Sequence, residues 1–121
     1  GLIQFNTTTK AHKAYLHNAK DASTISSNNT YKLLLDTKGD LWIGTWGGGL
    51  NRFNITTNTF DRFHLNIPGI YTTDDQIILS MMEDSSGLLW VGTDGAGVFK
   101  FDINQKRFNN IRHGDKNLLQ G

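Results

Sequence analysis

Asp84-Ser85-Ser86-Gly87-Leu88-Leu89-Trp90-Val91-Gly92-Thr93-Asp94-Gly95-Ala96-Gly97-Val98 decides the fold, because the chain carries the same stretch twice. Forty-eight residues earlier stands Asp36-Thr37-Lys38-Gly39-Asp40-Leu41-Trp42-Ile43-Gly44-Thr45-Trp46-Gly47-Gly48-Gly49-Leu50. Asp36, Gly39, Leu41, Trp42, Gly44, Thr45, Gly47 and Gly49 recur unchanged, and Phe53, Ile55 and Phe60 recur as Phe101, Ile103 and Phe108, with no gap. The start of the chain is in phase too: Gly1-Leu2-Ile3-Gln4-Phe5-Asn6 lies one period before Gly49-Leu50-Asn51-Arg52-Phe53-Asn54, and Tyr15 falls in phase with Phe63 and Ile111. A period in the forties points to a stacked or radial repeat.

Within the last unit the pattern gives four short strands. Ile77–Glu83 is the first, and Asp84-Ser85-Ser86-Gly87 closes it, with Asp first and Gly fourth as a type I turn prefers. Leu88–Thr93 follows, then the glycine-rich turn Asp94-Gly95-Ala96-Gly97, then Val98–Asp102 and Arg107–Ile111. Four antiparallel strands per repeat make a propeller blade. The expectation is an all-β chain, a partial β-propeller of four-stranded antiparallel blades with a 48-residue period. Residues 1–20 are half a blade (the outer two strands), 21–69 and 70–117 are complete blades, and 118–121 begin a truncated next one. Composition agrees: 13 glycines, one proline, seven Phe, three Trp and three Tyr suit many short strands. No window sustains helical periodicity beyond about two turns.

The two quoted stretches resemble the two-component regulator propeller repeat. That resemblance implies the periplasmic sensor region of a Bacteroides-type hybrid two-component system, a segment of an inner-membrane protein whose histidine kinase lies in a separate domain. Such regions typically sense oligosaccharides, so the implied role is ligand binding coupled to signal transduction and phosphorelay, with no catalysis by this segment. Two rival classes stay open: a structural or protein-interaction propeller without a small ligand, and a piece of a propeller enzyme. Closed rings need about four to eight blades. The partners expected are therefore the remaining blades of a parent protein or copies of this chain, besides a possible oligosaccharide.

Charge and composition remove other classes. Twelve Lys and Arg stand against 11 Asp and Glu, with no like-charged run beyond two. That excludes the concentrated positive potential a nucleic-acid or anionic-membrane surface needs. No stretch approaches 18 apolar residues, so direct membrane contact is not expected. Gly1-Leu2-Ile3-Gln4 has no signal-peptide character. Cysteine is absent, which removes disulfides and thiolate metal sites. Gly47-Gly48-Gly49 lacks the Lys-Ser/Thr of a phosphate loop, and Asp36–Asp40 lacks the ligand alternation of a calcium loop. No cofactor, metal or catalytic residue is expected.

Shared phase separates scaffold from site. Trp42 and Trp90, Gly44 and Gly92, Gly49 and Gly97, and Asp36 and Asp84 recur in step, so they are read as structural, the two tryptophans filling the space between blades. Departures between units point to recognition instead. Trp46 stands where the sibling has Asp94, in a turn whose surrounding Thr45, Gly47 and Gly49 recur as Thr93, Gly95 and Gly97. Ligand contact and local packing both remain open for it. Carbohydrate recognition uses an aromatic face beside carboxylates and amides, and Trp46, Asn51, Asp94 and the loop holding Tyr71, Asp74 and Asp75 offer those groups. His12 shares the phase of Phe60 and Phe108 and is expected half-buried at an edge. His17, His64 and His113 show no zinc-ligand spacing.

Overall fold

The computed structural model describes residues 1–65, 77–102 and 107–111. Ten strands make three antiparallel sheets. The first holds β1 (Leu2–Phe5) and β2 (His12–Tyr15). The second holds β3 (Thr30–Leu35), β4 (Leu41–Thr45), β5 (Leu50–Asn54) and β6 (Thr59–Phe63), in sequence order. The third holds β7 (Ile78–Glu83), β8 (Leu89–Thr93), β9 (Val98–Asp102) and β10 (Arg107–Ile111), also in sequence order. The two four-stranded meanders are propeller blades, and β1 and β2 are the counterparts of β5 and β6.

The recurring residues explain themselves locally. Asp36 Oδ1 accepts the backbone N–H of Lys38 and of Asp40, both at 2.9 Å, while Oδ2 accepts the indole N–H of Trp42 at 2.9 Å. Asp84 repeats this with Ser86, Leu88 and Trp90 at 2.8, 3.0 and 2.8 Å. One carboxylate thus closes the first hairpin and fixes the tryptophan. These bonds favour the ionised form and hold the Asp84 carboxyl below its usual range, the indole contributing most. Thr45 and Thr93 close the second turn, each hydroxyl donating to the carbonyl of Gly49 or Gly97 at 2.8 Å. Those glycines adopt φ of +77° and +81°, where a side chain would be strained.

The core lies between sheets. Trp42, Leu50, Leu65 and Ile78 pack with Leu89, Val91, Phe99 and Phe101 between the two blades. Trp42 is only 1% exposed. Its ring meets Phe63 and Phe101 at centroid separations of 5.7 and 5.4 Å. Gly44 is bare for a steric reason: a Cβ there would stand 2.6 Å from Cγ2 of Ile78 in the next blade. A second cluster joins Tyr15, Ile25, Ile43, Phe53 and Phe60, and packs the two-stranded sheet against the first blade.

Three expectations need adjustment. The first strand of the last blade starts at Ile78, because Ile77 instead forms an isolated bridge with Trp46 of the preceding blade. Trp90 is half-buried rather than buried like Trp42, since its face turns away from the other described sheets. His12 is exposed, not half-buried. Its partner across the ladder, Phe5, is exposed as well, and no described sheet covers that side of β1 and β2.

Candidate functional site

One line of backbone crosses both blades on a single edge. The Trp46 N–H donates to the Asn29 carbonyl at 2.8 Å, Trp46 bridges Ile77, and the Asp94 N–H donates to the Ile77 carbonyl at 3.0 Å. Neighbouring strands lie about 4.8 Å apart, so Trp46 and Asp94 stand on one rim, separated by a single backbone segment.

The side chains on that rim are available. Trp46 is 47% exposed, and Asn29 and Asp94 are exposed. Tyr31 meets the indole edge-on, with ring centroids 5.7 Å apart, and is itself exposed. The Lys32 ammonium sits 5.2 Å from the Tyr31 ring centre. Tyr31 occupies a β-bulge between Thr30 and Lys32 that recurs between Ile78 and Ser80. A bulge re-aims the side chain at its crest, which carries Tyr31 towards Trp46. An aromatic pair, an amide, a carboxylate and an ammonium therefore share one edge.

Asn51 departs from the expectation. It is fully buried, its Oδ1 accepts the Ser26 N–H at 3.0 Å, and its Nδ2 donates to Ser26 Oγ at 2.7 Å. That amide anchors the connection from β2 to β3, and a ligand on the rim cannot touch it. Arg62 grips the same connection: Nε donates to the Thr24 carbonyl at 2.8 Å, and a terminal nitrogen reaches Thr24 Oγ1 and the Asp21 carbonyl at 2.8 and 3.0 Å. His17 Nδ1 lies 2.8 Å from the Ile25 carbonyl, a third fastening. Tyr71, Asp74 and Asp75 lie outside the described residues. Among the described residues, no group of three His, Asp or Glu side chains could hold a metal ion, and no helix is long and apolar enough to cross a membrane.

Sequence reasoning missed Tyr31 and Lys32. The signal that marked Trp46 was available for both, since the sibling blade has Leu79 and Ser80 there.

The two component regulator propeller family model matches residues 24–47 and 66–95. A solved structure ascribed to the extracellular domain of the hybrid two component system BT3049 from B. thetaiotaomicron is similar over 95% of this chain, at TM-score 0.77 and 21% identity. The similarity spans only 16% of that chain. A structure ascribed to the extracellular domain of the BT4673 system of the same organism covers 74% of this chain and 12% of its own, at TM-score 0.56 and 20% identity. No curated protein matches. The fold these structures share is the one described above, and the two stretches that match the two component regulator propeller model contain the aspartate-tethered Trp42 and Trp90 hairpins.

Proposed function

We propose that this chain is a piece of the extracytoplasmic, ligand-sensing propeller of a hybrid two-component system, and that its rim binds an oligosaccharide. The observation that carries this reading is the exposed Tyr31–Trp46 pair. Both rings stand where the sibling blade has Leu79 and Asp94, so the scaffold does not demand them. Sugar rings present apolar faces edged by hydroxyls, which suits an aromatic surface beside the Asp94 carboxylate and the Asn29 amide. Binding that differs between two arrangements of the receptor would shift its signalling equilibrium. The segment itself performs no chemistry. Kinase activity and phosphorelay belong to other domains of the parent, and the remaining blades of that parent are its partners.

The test is calorimetric titration of the complete ectodomain against an oligosaccharide panel. Trp46→Ala is expected to weaken binding by about 1–3 kcal/mol, as losing an aromatic anchor does, and to move folding stability by only about 0.5 kcal/mol. Unchanged affinity, or a collapsed melting temperature, would end the recognition reading.

A further inference from the structure

Departures between the two blades fall into two tiers. Tyr31 and Trp46, at the phases of Leu79 and Asp94, are exposed on the rim. Gly48 and Asn51, at the phases of Ala96 and Phe99, are buried. Both buried residues meet one segment, the connection that leads into β3. Asn51 holds Ser26 with both ends of its amide, accepting the N–H at 3.0 Å and donating to Oγ at 2.7 Å. Gly48 is bare because that segment lies on it: a Cβ there would stand 2.7 Å from Ser26 Oγ and 2.8 Å from Ser27 Cβ. The turn itself does not demand a glycine at this place. Its φ is positive at Gly47 and Gly49 but not at Gly48, and the sibling turn carries Ala96.

From Ser26 the contacts run on to the rim. Ser27 Oγ accepts the Asn29 N–H at 3.0 Å, and the Asn29 carbonyl accepts the Trp46 N–H at 2.8 Å. Two residues further stands Tyr31, whose ring meets the indole at 5.7 Å. The turn that carries Trp46 needs such support. Gly47-Gly48-Gly49 leaves its backbone freer than other residues would, and a ring held loosely forfeits binding energy when a ligand immobilises it. We propose that Asn51 and Gly48 are positioning residues for the rim: they seat residues 26–29 against the Trp46 turn and so fix the Tyr31–Trp46 surface before a ligand arrives. This rests on the sugar-binding reading of the rim. Neither residue meets the ligand, because both are buried. Asn51 acts through Ser26, and Gly48 acts by leaving room for Ser26 and Ser27.

Fluorine NMR of the complete ectodomain labelled with 5-fluorotryptophan tests the positioning without a ligand. The Trp46 and Trp90 lines are assigned by their disappearance in Trp46→Phe and Trp90→Phe. Asn51→Ala and Gly48→Ala are each expected to shift and broaden the Trp46 line and to leave the Trp90 line, in the other blade, in place. Asn51→Ala strands the Ser26 N–H and risks unfolding, so Gly48→Ala, a residue the sibling turn already carries, keeps the test decisive. Titration of the same proteins with cellohexaose, maltohexaose and hexagalacturonate reads the consequence. For a sugar that the parent binds, each variant should weaken affinity about fivefold or more, the loss expected of a surface no longer preorganised. In a Trp46→Ala background the further loss from Asn51→Ala should shrink below about twofold, because a residue acting through the indole has nothing left to position. An unmoved Trp46 line overturns the proposal, and so do unchanged affinities in both variants or losses that add in full. Trp46→Ala without effect, or a parent that binds none of the three sugars, overturns the sugar-binding reading and takes this role with it, whatever the fluorine spectra show.

Discussion

The contact between the two blades and the contact between the first blade and the two-stranded sheet use the same positions to different ends. In the first, Met81 is half-buried and Phe101 is 1% exposed. In the second, the matching Leu33 is 57% exposed, although the matching Phe53 is still covered by Tyr15. Edge chemistry differs as well. Glu83 accepts the Thr37 N–H and hydroxyl, both at 2.9 Å, which clasps one blade's hairpin turn to the next blade. The matching residue is Leu35, 68% exposed. The outer strands thus hold their neighbour without the inner ones. What the inner pair adds is the tryptophan wedge and the turn clasp.

The largest effect should come from the wedge. Trp42→Ala removes a fully buried indole and should cost roughly 3–5 kcal/mol. Trp90→Ala, at the same phase on a face that no other described sheet covers, should cost less than half as much. Chemical denaturation of both variants checks the contrast, and equal losses would break it. Next comes Gly44→Ala, which drives a methyl into Ile78 and should destabilise by about 1–3 kcal/mol through overpacking. Smaller still is the difference between the two turn contacts. Leu35→Ser should stay within about 0.5 kcal/mol because the side chain is exposed, whereas Glu83→Ala should cost about 1 kcal/mol by breaking hydrogen bonds to a charged acceptor. Thermal melts of the pair would sharpen that comparison.

The smallest effect concerns acid. Asp84 titrates below its ordinary carboxylate value in the folded chain, chiefly because it accepts the Trp90 indole N–H. Its contribution is therefore fully present above the ordinary value and is lost as pH falls through the lower folded one. Melting temperature followed from neutral pH into that acid window should decline less steeply in Asp84→Asn than in the parent. An identical slope would show that the ionised form is not the one the hairpin prefers.

Much of this architecture was legible because a 48-residue period states which residues must occupy equivalent places. β9 and β10 fall at their expected bounds, and Asp36 and Asp84 close equivalent turns, whereas of the two recurring tryptophans only Trp42 is wedged between described sheets. Ile77 escaped because its pairing crosses between blades, which a within-repeat pattern does not encode. The site was harder. A difference between siblings flags Trp46, but it equally flags Asn51, whose buried amide holds Ser26 in the connection from β2 to β3. Asymmetry in phase therefore marks either a ligand surface or an irregular crossing, and burial separates them. Tyr31 differs from its sibling Leu79 and so carries the same flag, but its place on the rim depends on a bulge, and bulges leave little trace in alternation.

The tether from Asp36 to the Trp42 indole has a kinetic side. It closes a loop of only six residues, and so does its twin from Asp84 to Trp90. Short closures sacrifice little chain entropy and form early, whereas contacts between residues distant in sequence come late. Trp42 must wait for Phe101, 101 − 42 = 59 residues further on, before its face is covered. Each hairpin should accordingly order its own indole before a neighbour arrives to enclose it. During synthesis the exposed ring of one repeat would then be the ready-made template on which the next condenses.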